Sequence, residues 1–135
     1  TSKLLRERTF GRFEGMPREE YMETIKHLLE KVKELSQDEQ WKFKSGEDVE
    51  SDFELVSRFI IQLREIAVAY PNKTVLVVTH GGCIRMLLMR LGEFQYGELT
   101  PGMVANTAYV KILSDGVDFF VKEMKGIQEK LKGGL

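Results

Sequence analysis

From Pro17 to Leu35, apolar side chains fall at Tyr21, Ile25, Leu28, Val32 and Leu35, the spacing of an amphipathic helix. Pro17 suits the first turn of that helix, where a missing N–H costs nothing. The stretch SQDEQWKFKSGEDVE, Ser36 to Glu50, is polar and breaks the pattern, which predicts a loop able to cover a site. SDFE, Ser51 to Glu54, then reads as a capping box opening a second helix. Phe53, Val56, Ile60, Leu63 and Ala67 mark its expected buried stripe, and YPNK ends it. Val75 to Val78 predicts a short strand buried on both faces, and Cys83 to Leu91 a helix. After the turn LTPGM, the run ANTAYVKIL alternates, with Ala108, Val110 and Ile112 on one face. SDG followed by VDFFVKEM predicts a hairpin turn and its return strand. The tail IQEKLKGGL reads as frayed helix. The succession of helices and strands predicts α/β layering, with few strands for a complete sheet.

At 135 residues the chain is read as one domain spanning 1–135, with enough apolar residues for a core. Twenty basic and 21 acidic side chains give a net charge of −1. That balance gives no global pull toward nucleic acid or membrane, so any positive site must be local. No apolar run approaches the roughly 20 residues of a membrane span. The start, TSKLLRERTF, has neither an initiating methionine nor the apolar core of a signal peptide. The expectation is a fragment, a processed product or a naturally short form. The single cysteine, Cys83, excludes an internal disulfide and fits a reducing compartment. A cytoplasmic location is therefore expected.

The chemistry concentrates where the apolar run TVLVV meets Thr79-His80-Gly81-Gly82. In open α/β sheets, ligands bind at the carboxyl ends of strands. Two glycines allow a close backbone approach, and the helix that follows presents free N–H groups to an anion. An imidazole there can donate to a phosphate oxygen and, when protonated, offset charge built up during phosphoryl transfer. A histidine that merely ends a strand and bonds backbone fits an isolated THGG equally well. His27, on a helix rich in Lys and Glu, reads as a solvated side chain. Cys83 reads as a small buried residue.

The amino terminus supplies a second candidate in LLRERTFGRFEG, where Glu7 lies between Arg6 and Arg8. A carboxylate beside arginines stays ionised, or becomes a proton donor when an arriving phosphate raises its affinity for protons. Arg8 and Arg12 are placed to grip phosphate oxygens. An exposed charge cluster leading into a helix is the alternative.

LRERTFGRFEG and VLVVTHGGCIRMLL stand in the order and rough spacing seen in the histidine phosphatase superfamily, which includes the cofactor-dependent phosphoglycerate mutases. Between them, ESDFELVSRF resembles that family's GES…R region, with Val49 where a glycine is usual. ANTAYVKI is similar to its late N-x-x strand. The resemblance covers nearly the whole chain. It implies a three-layer sandwich with a mainly parallel central sheet flanked by helices, incomplete on its amino-terminal side. It also implies that His80 binds the transferring phosphoryl group without being the nucleophile. Glu7 would donate the proton to the leaving oxygen, Arg8 would contact substrate phosphate, and Gly81 would give a backbone donor. Arg58 and Arg85 are expected to be structural.

The chain contains neither the RHG motif, whose histidine becomes phosphorylated, nor the S-x-L-x-R-A segment that follows it in the family. His27 does not substitute, lacking the arginine-glycine context. The missing strand is expected beside Val75 to Val78, so its absence would leave a sheet edge open to self-association. The leading expectation is a phosphomonoesterase acting on a small phosphorylated metabolite, a sugar bisphosphate among the candidates. It would use a phosphohistidine whose nucleophile lies outside these residues, and neither metal nor other cofactor. The opening LRER-x-F-G-x-x-EG looks most like the fructose-2,6-bisphosphatase type. A phosphoglycerate mutase is the alternative within the family, disfavoured by the short, arginine-poor loop. A noncatalytic phosphate-binding or interaction module is the alternative outside catalysis.

Overall fold

Helix α1 (Arg18–Val32) forms within the expected stretch but ends before Leu35, and Pro17 is its N-cap and not part of its first turn. Glu19 and Glu20 put negative charge in its first turn, where the helix dipole favours it. The structure is a computed structural model and describes residues 1–128. The polar stretch expected as a loop contains a further helix, α2 (Gln37–Lys42). Ser36 and Glu39 form a reciprocal capping box, the serine hydroxyl accepting the Glu39 N–H at 3.4 Å and the glutamate accepting the Ser36 N–H at 2.9 Å. A six-residue helix lying largely in solvent needs no apolar period, which is why the pattern concealed it.

Helix α3 (Asp52–Ala69) opens on the expected box, with Ser51 and Glu54 bonded at 3.1 and 2.8 Å. Its buried side chains include Leu55, Val56 and Phe59, whereas Phe53 is 44% exposed. The buried stripe therefore keeps Val56 of the expected one but is shifted toward Leu55 and Phe59. Phe53 instead lies under the Lys42 ammonium, 5.9 Å from the ring centroid.

The chain divides into two compact units, Thr1–Glu7 with Val56 onward, and Arg8–Leu55. In the latter, Ile25, Val49 and Leu55 are buried. Phe10 and Phe13 meet the Tyr21 ring edge-on, with centroids at 5.4 and 5.2 Å. The Tyr21 hydroxyl lies 2.9 Å from that of Ser45. Thr9 accepts the Glu50 N–H at 2.9 Å, tying the start of this unit to the approach to α3.

The other unit is organised by α4 (Gly81–Arg90), which buries Cys83, Met86, Leu87, Leu88 and Met89. Apolar residues on nearly all sides make it a core helix. It packs against β1 (Val104–Ser114), with Gly81 close to the Val104 side chain. Strand β2 (Phe119–Ile127) returns antiparallel to β1, pairing Ser114 with Phe119 and Leu113 with Phe120. The turn between them is the predicted one. The Asp115 carboxylate accepts the N–H groups of Val117 and Asp118 at 2.9 and 2.8 Å, and Gly116 adopts φ +93°.

The fold is thus mixed α/β, but its sheet differs from the expected one. Among the described residues the sheet has two strands, β1 and β2, paired antiparallel. Val75 to Val78, predicted to be buried on both faces, joins no ladder, and Leu76 and Val78 are 88% and 80% exposed. A strand buries both faces only when neighbours pair its backbone and layers cover its sides; here no described segment does either. Ile127, expected in a terminal helix, closes β2, and the rest of that predicted helix from residue 129 lies outside the described residues.

Candidate active site at the start of helix α4

The residue before α4 is His80, its N-cap, in extended conformation with φ −114° and ψ 157°. Its carbonyl accepts the Ile84 N–H at 3.2 Å. The imidazole is exposed and caps nothing. This follows from the local sequence. The chain, extended at His80, turns into helix at two glycines, and the histidine side chain stays exposed.

An α-helix begins with unsatisfied N–H groups and the positive end of its dipole. The first turn of α4 contains no acidic residue of its own. Glu7 supplies the charge from far along the chain: its carboxylate accepts the Gly82 N–H at 3.2 Å. Glu7 arrives on a segment that leaves a short 3-10 turn, Lys3–Leu5, capped by the Ser2 hydroxyl accepting the Leu4 N–H at 3.1 Å. Glu7, His80 and Gly81, expected in one site, therefore gather at or beside the amino end of one helix.

Arg8 begins the other unit. Its guanidinium forms an ion pair with Asp52 and donates to the Glu50 carbonyl at 2.9 Å. The contact its resemblance implies would be with substrate phosphate; in this structure a carboxylate holds the charge. Arg12 pairs with Asp48 at 3.1 Å. His27 is exposed on α1, as its surroundings predict.

Cys83, one turn into α4, is fully buried. Burial pushes its thiol above the ordinary range. Thr79 opposes that shift by hydrogen bonding, and the Glu7 charge reinforces it. The thiol therefore stays protonated at neutral pH and acts as a hydrogen-bond donor rather than a nucleophile.

Sequence reasoning credited both glycines with a close backbone approach but expected the backbone donor from Gly81. Yet it is Gly82 whose N–H meets the carboxylate, while a Cβ on Gly81 would meet Val104 at an ordinary 3.6 Å. The doubled glycine was the available signal. Among the described residues, no three His, Cys, Asp or Glu side chains are grouped to hold a metal ion. No helix among them is long and apolar enough to cross a membrane.

The family model of the histidine phosphatase superfamily (branch 1) matches residues 1–125. No curated protein and no solved structure matches the chain significantly. The family match takes in both the Glu7 segment and the THGG junction. With Glu7 meeting the helix that THGG opens, the chain belongs to the histidine phosphatase superfamily, branch 1.

Proposed function

We propose that the protein is a phosphomonoesterase acting on a small phosphorylated metabolite, a sugar bisphosphate of the fructose-2,6-bisphosphatase type being the leading candidate. Membership of the superfamily suggests phosphatase or mutase activity. The observation that carries the reading is the Glu7 carboxylate lying 3.2 Å from the Gly82 N–H, at the helix whose N-cap is His80. A proton donor, an imidazole and helix-start amides there serve one phosphoryl group.

In this reading a phosphate ester settles at the start of α4, with His80 donating to a phosphoryl oxygen. A histidine nucleophile from outside these residues attacks phosphorus, forming an N–P bond as the P–O bond to the alcohol breaks. Glu7 delivers its proton to the departing oxygen. Water then attacks the phosphohistidine, returning the nucleophile and releasing inorganic phosphate. Glu7, now a carboxylate, takes a proton from that water. A second reading is a phosphate-binding module without turnover, which the imidazole of His80 and the amides at the start of α4 would serve by themselves.

The test is hydrolysis of a generic phosphomonoester, with inorganic phosphate binding followed in parallel by NMR. If the enzyme reading holds, Glu7→Gln lowers turnover by about 100-fold or more. His80→Ala removes the phosphate response of the Gly81 and Gly82 amides. Phosphate binding without turnover, in a protein that also carries the histidine nucleophile, selects the module. Neither binding nor turnover by the folded protein defeats both readings.

A further inference from the structure

The carbonyls of Leu4, Leu5, Arg6 and Glu7 are each held by a side chain from another part of the same unit. The Arg58 guanidinium, on α3, donates to the Leu4 carbonyl at 2.7 Å and to the Glu7 carbonyl at 3.2 Å. The Thr79 hydroxyl donates to the Leu5 carbonyl at 2.8 Å. The Cys83 thiol, on α4, donates to the Arg6 carbonyl at 3.2 Å. A segment outside any sheet must satisfy its carbonyls with water or with side chains, and here three donors share the task. The result is a fixed backbone beneath one functional side chain.

Above that backbone, the Glu7 carboxylate fills space that exists because position 82 has no side chain. A Cβ built on Gly82 would lie 2.9 Å from the Glu7 carboxyl carbon and overlap an oxygen. The φ of Gly82 is not positive, so the glycine is needed there for room rather than for backbone freedom.

We infer that Arg58, Thr79, Cys83 and Gly82 are positioning residues for Glu7. The first three hold the peptide that carries it, and the fourth leaves room for its carboxylate and gives it an N–H. The functional meaning rests on the reading of Glu7 as the acid. Misplacing a reacting group by about 1 Å costs on the order of 100-fold in rate. Thr79 gives the cleanest test, because valine keeps its shape and removes only the hydroxyl, with its bonds to Leu5 and Cys83.

The readout is the amide proton of residue 82, followed by NMR through an acid titration. In the unaltered protein this resonance moves as the Glu7 carboxyl takes up its proton, and in Glu7→Gln it does not. Thr79→Val is expected to reduce the movement at least twofold, whereas Thr79→Ser, which keeps the hydroxyl, restores it. A threonine with a purely packing role would be replaced better by valine than by serine. Gly82→Ala is expected to abolish the movement, and it carries the test alone if Thr79→Val does not fold by circular dichroism. Undiminished movement in the folded variants overturns the inference. A parallel titration with inorganic phosphate separates the two claims. Silence toward phosphate with the Glu7 coupling intact defeats the phosphatase reading and leaves the positioning standing. A phosphate response with undiminished coupling in both variants does the reverse.

Discussion

Asp48 closes over Gly11: a Cβ built on the glycine would sit 2.5 Å from the aspartate carbonyl oxygen. The Asp48 carboxylate accepts the Arg12 N–H at 2.6 Å, and Gly11 adopts φ +53° to let the chain turn beneath it. Gly11→Ala therefore faces both a left-handed backbone and an occupied space. We expect it to destabilise the protein by about 1–3 kcal/mol, measured as a shift in urea midpoint at unchanged slope. A loss below about 0.5 kcal/mol would show that the turn can relax.

Stability should also decline in acid. Glu39 is held below its ordinary value of 4.5 by the Ser36 hydroxyl, and Glu54 by the Ser51 N–H. Asp48 is held below 3.8 by the Arg12 N–H, and Asp115 by the Asp118 N–H. Each folded carboxyl is a stronger acid than its unfolded counterpart. The stabilisation is therefore complete above the ordinary values and disappears as pH falls through the folded ones. Urea midpoints should hold level from pH 6 to about pH 5 and then drop toward pH 3, and Asp48→Asn should flatten part of that slope. A profile flat to pH 3 would contradict the four hydrogen bonds.

Cys83 should be hard to label. Its thiol is buried and its acidity is suppressed by that burial, so iodoacetamide must wait for an opening of the core. Modification at pH 8 is expected to be slower than in 8 M urea by about tenfold or more. Equal rates would place the thiol at the surface.

We propose that the exposed run Val75 to Val78 pairs with the same run of a second copy. It is uncharged, apolar, β-branched at three of its four positions and free of proline, the composition that invites edge pairing. Sedimentation of the unaltered protein should show mass rising with concentration. Leu76→Lys should lower that mass and leave stability within about 0.5 kcal/mol, because the side chain is 88% exposed. A monomer at every concentration would remove the proposal.

The elements legible in the sequence are those whose signals are local. The Ser51–Glu54 box, the Ser114–Gly116 turn and the alternation of β1 needed nothing beyond their neighbours. Helix α2 was missed although Ser36 and Glu39 spelled a capping box, because its exposed residues carry no apolar period. Val75 to Val78 has the composition of a buried strand, but burial depends on partners that its own residues do not encode. The site was read in part for the same reason. Glu7 and His80 stand in recognisable motifs, whereas the contribution of Gly82 depends on a carboxylate that arrives from 75 positions away.

That remoteness has a consequence for the order of folding. The β1–β2 hairpin joins through a four-residue turn, Asp115 to Asp118, and such hairpins form within roughly 1–10 μs. The bonds from Thr79 to Leu5 and from Cys83 to Arg6 close separations of 74 and 77 residues. Closures of that span follow the local elements, since the entropy of the intervening chain is lost before the contacts return it. The segment carrying Glu7 is thus expected to join the unit after its local elements have formed. On the reading of Glu7 as the acid, the site is complete only once that segment has docked.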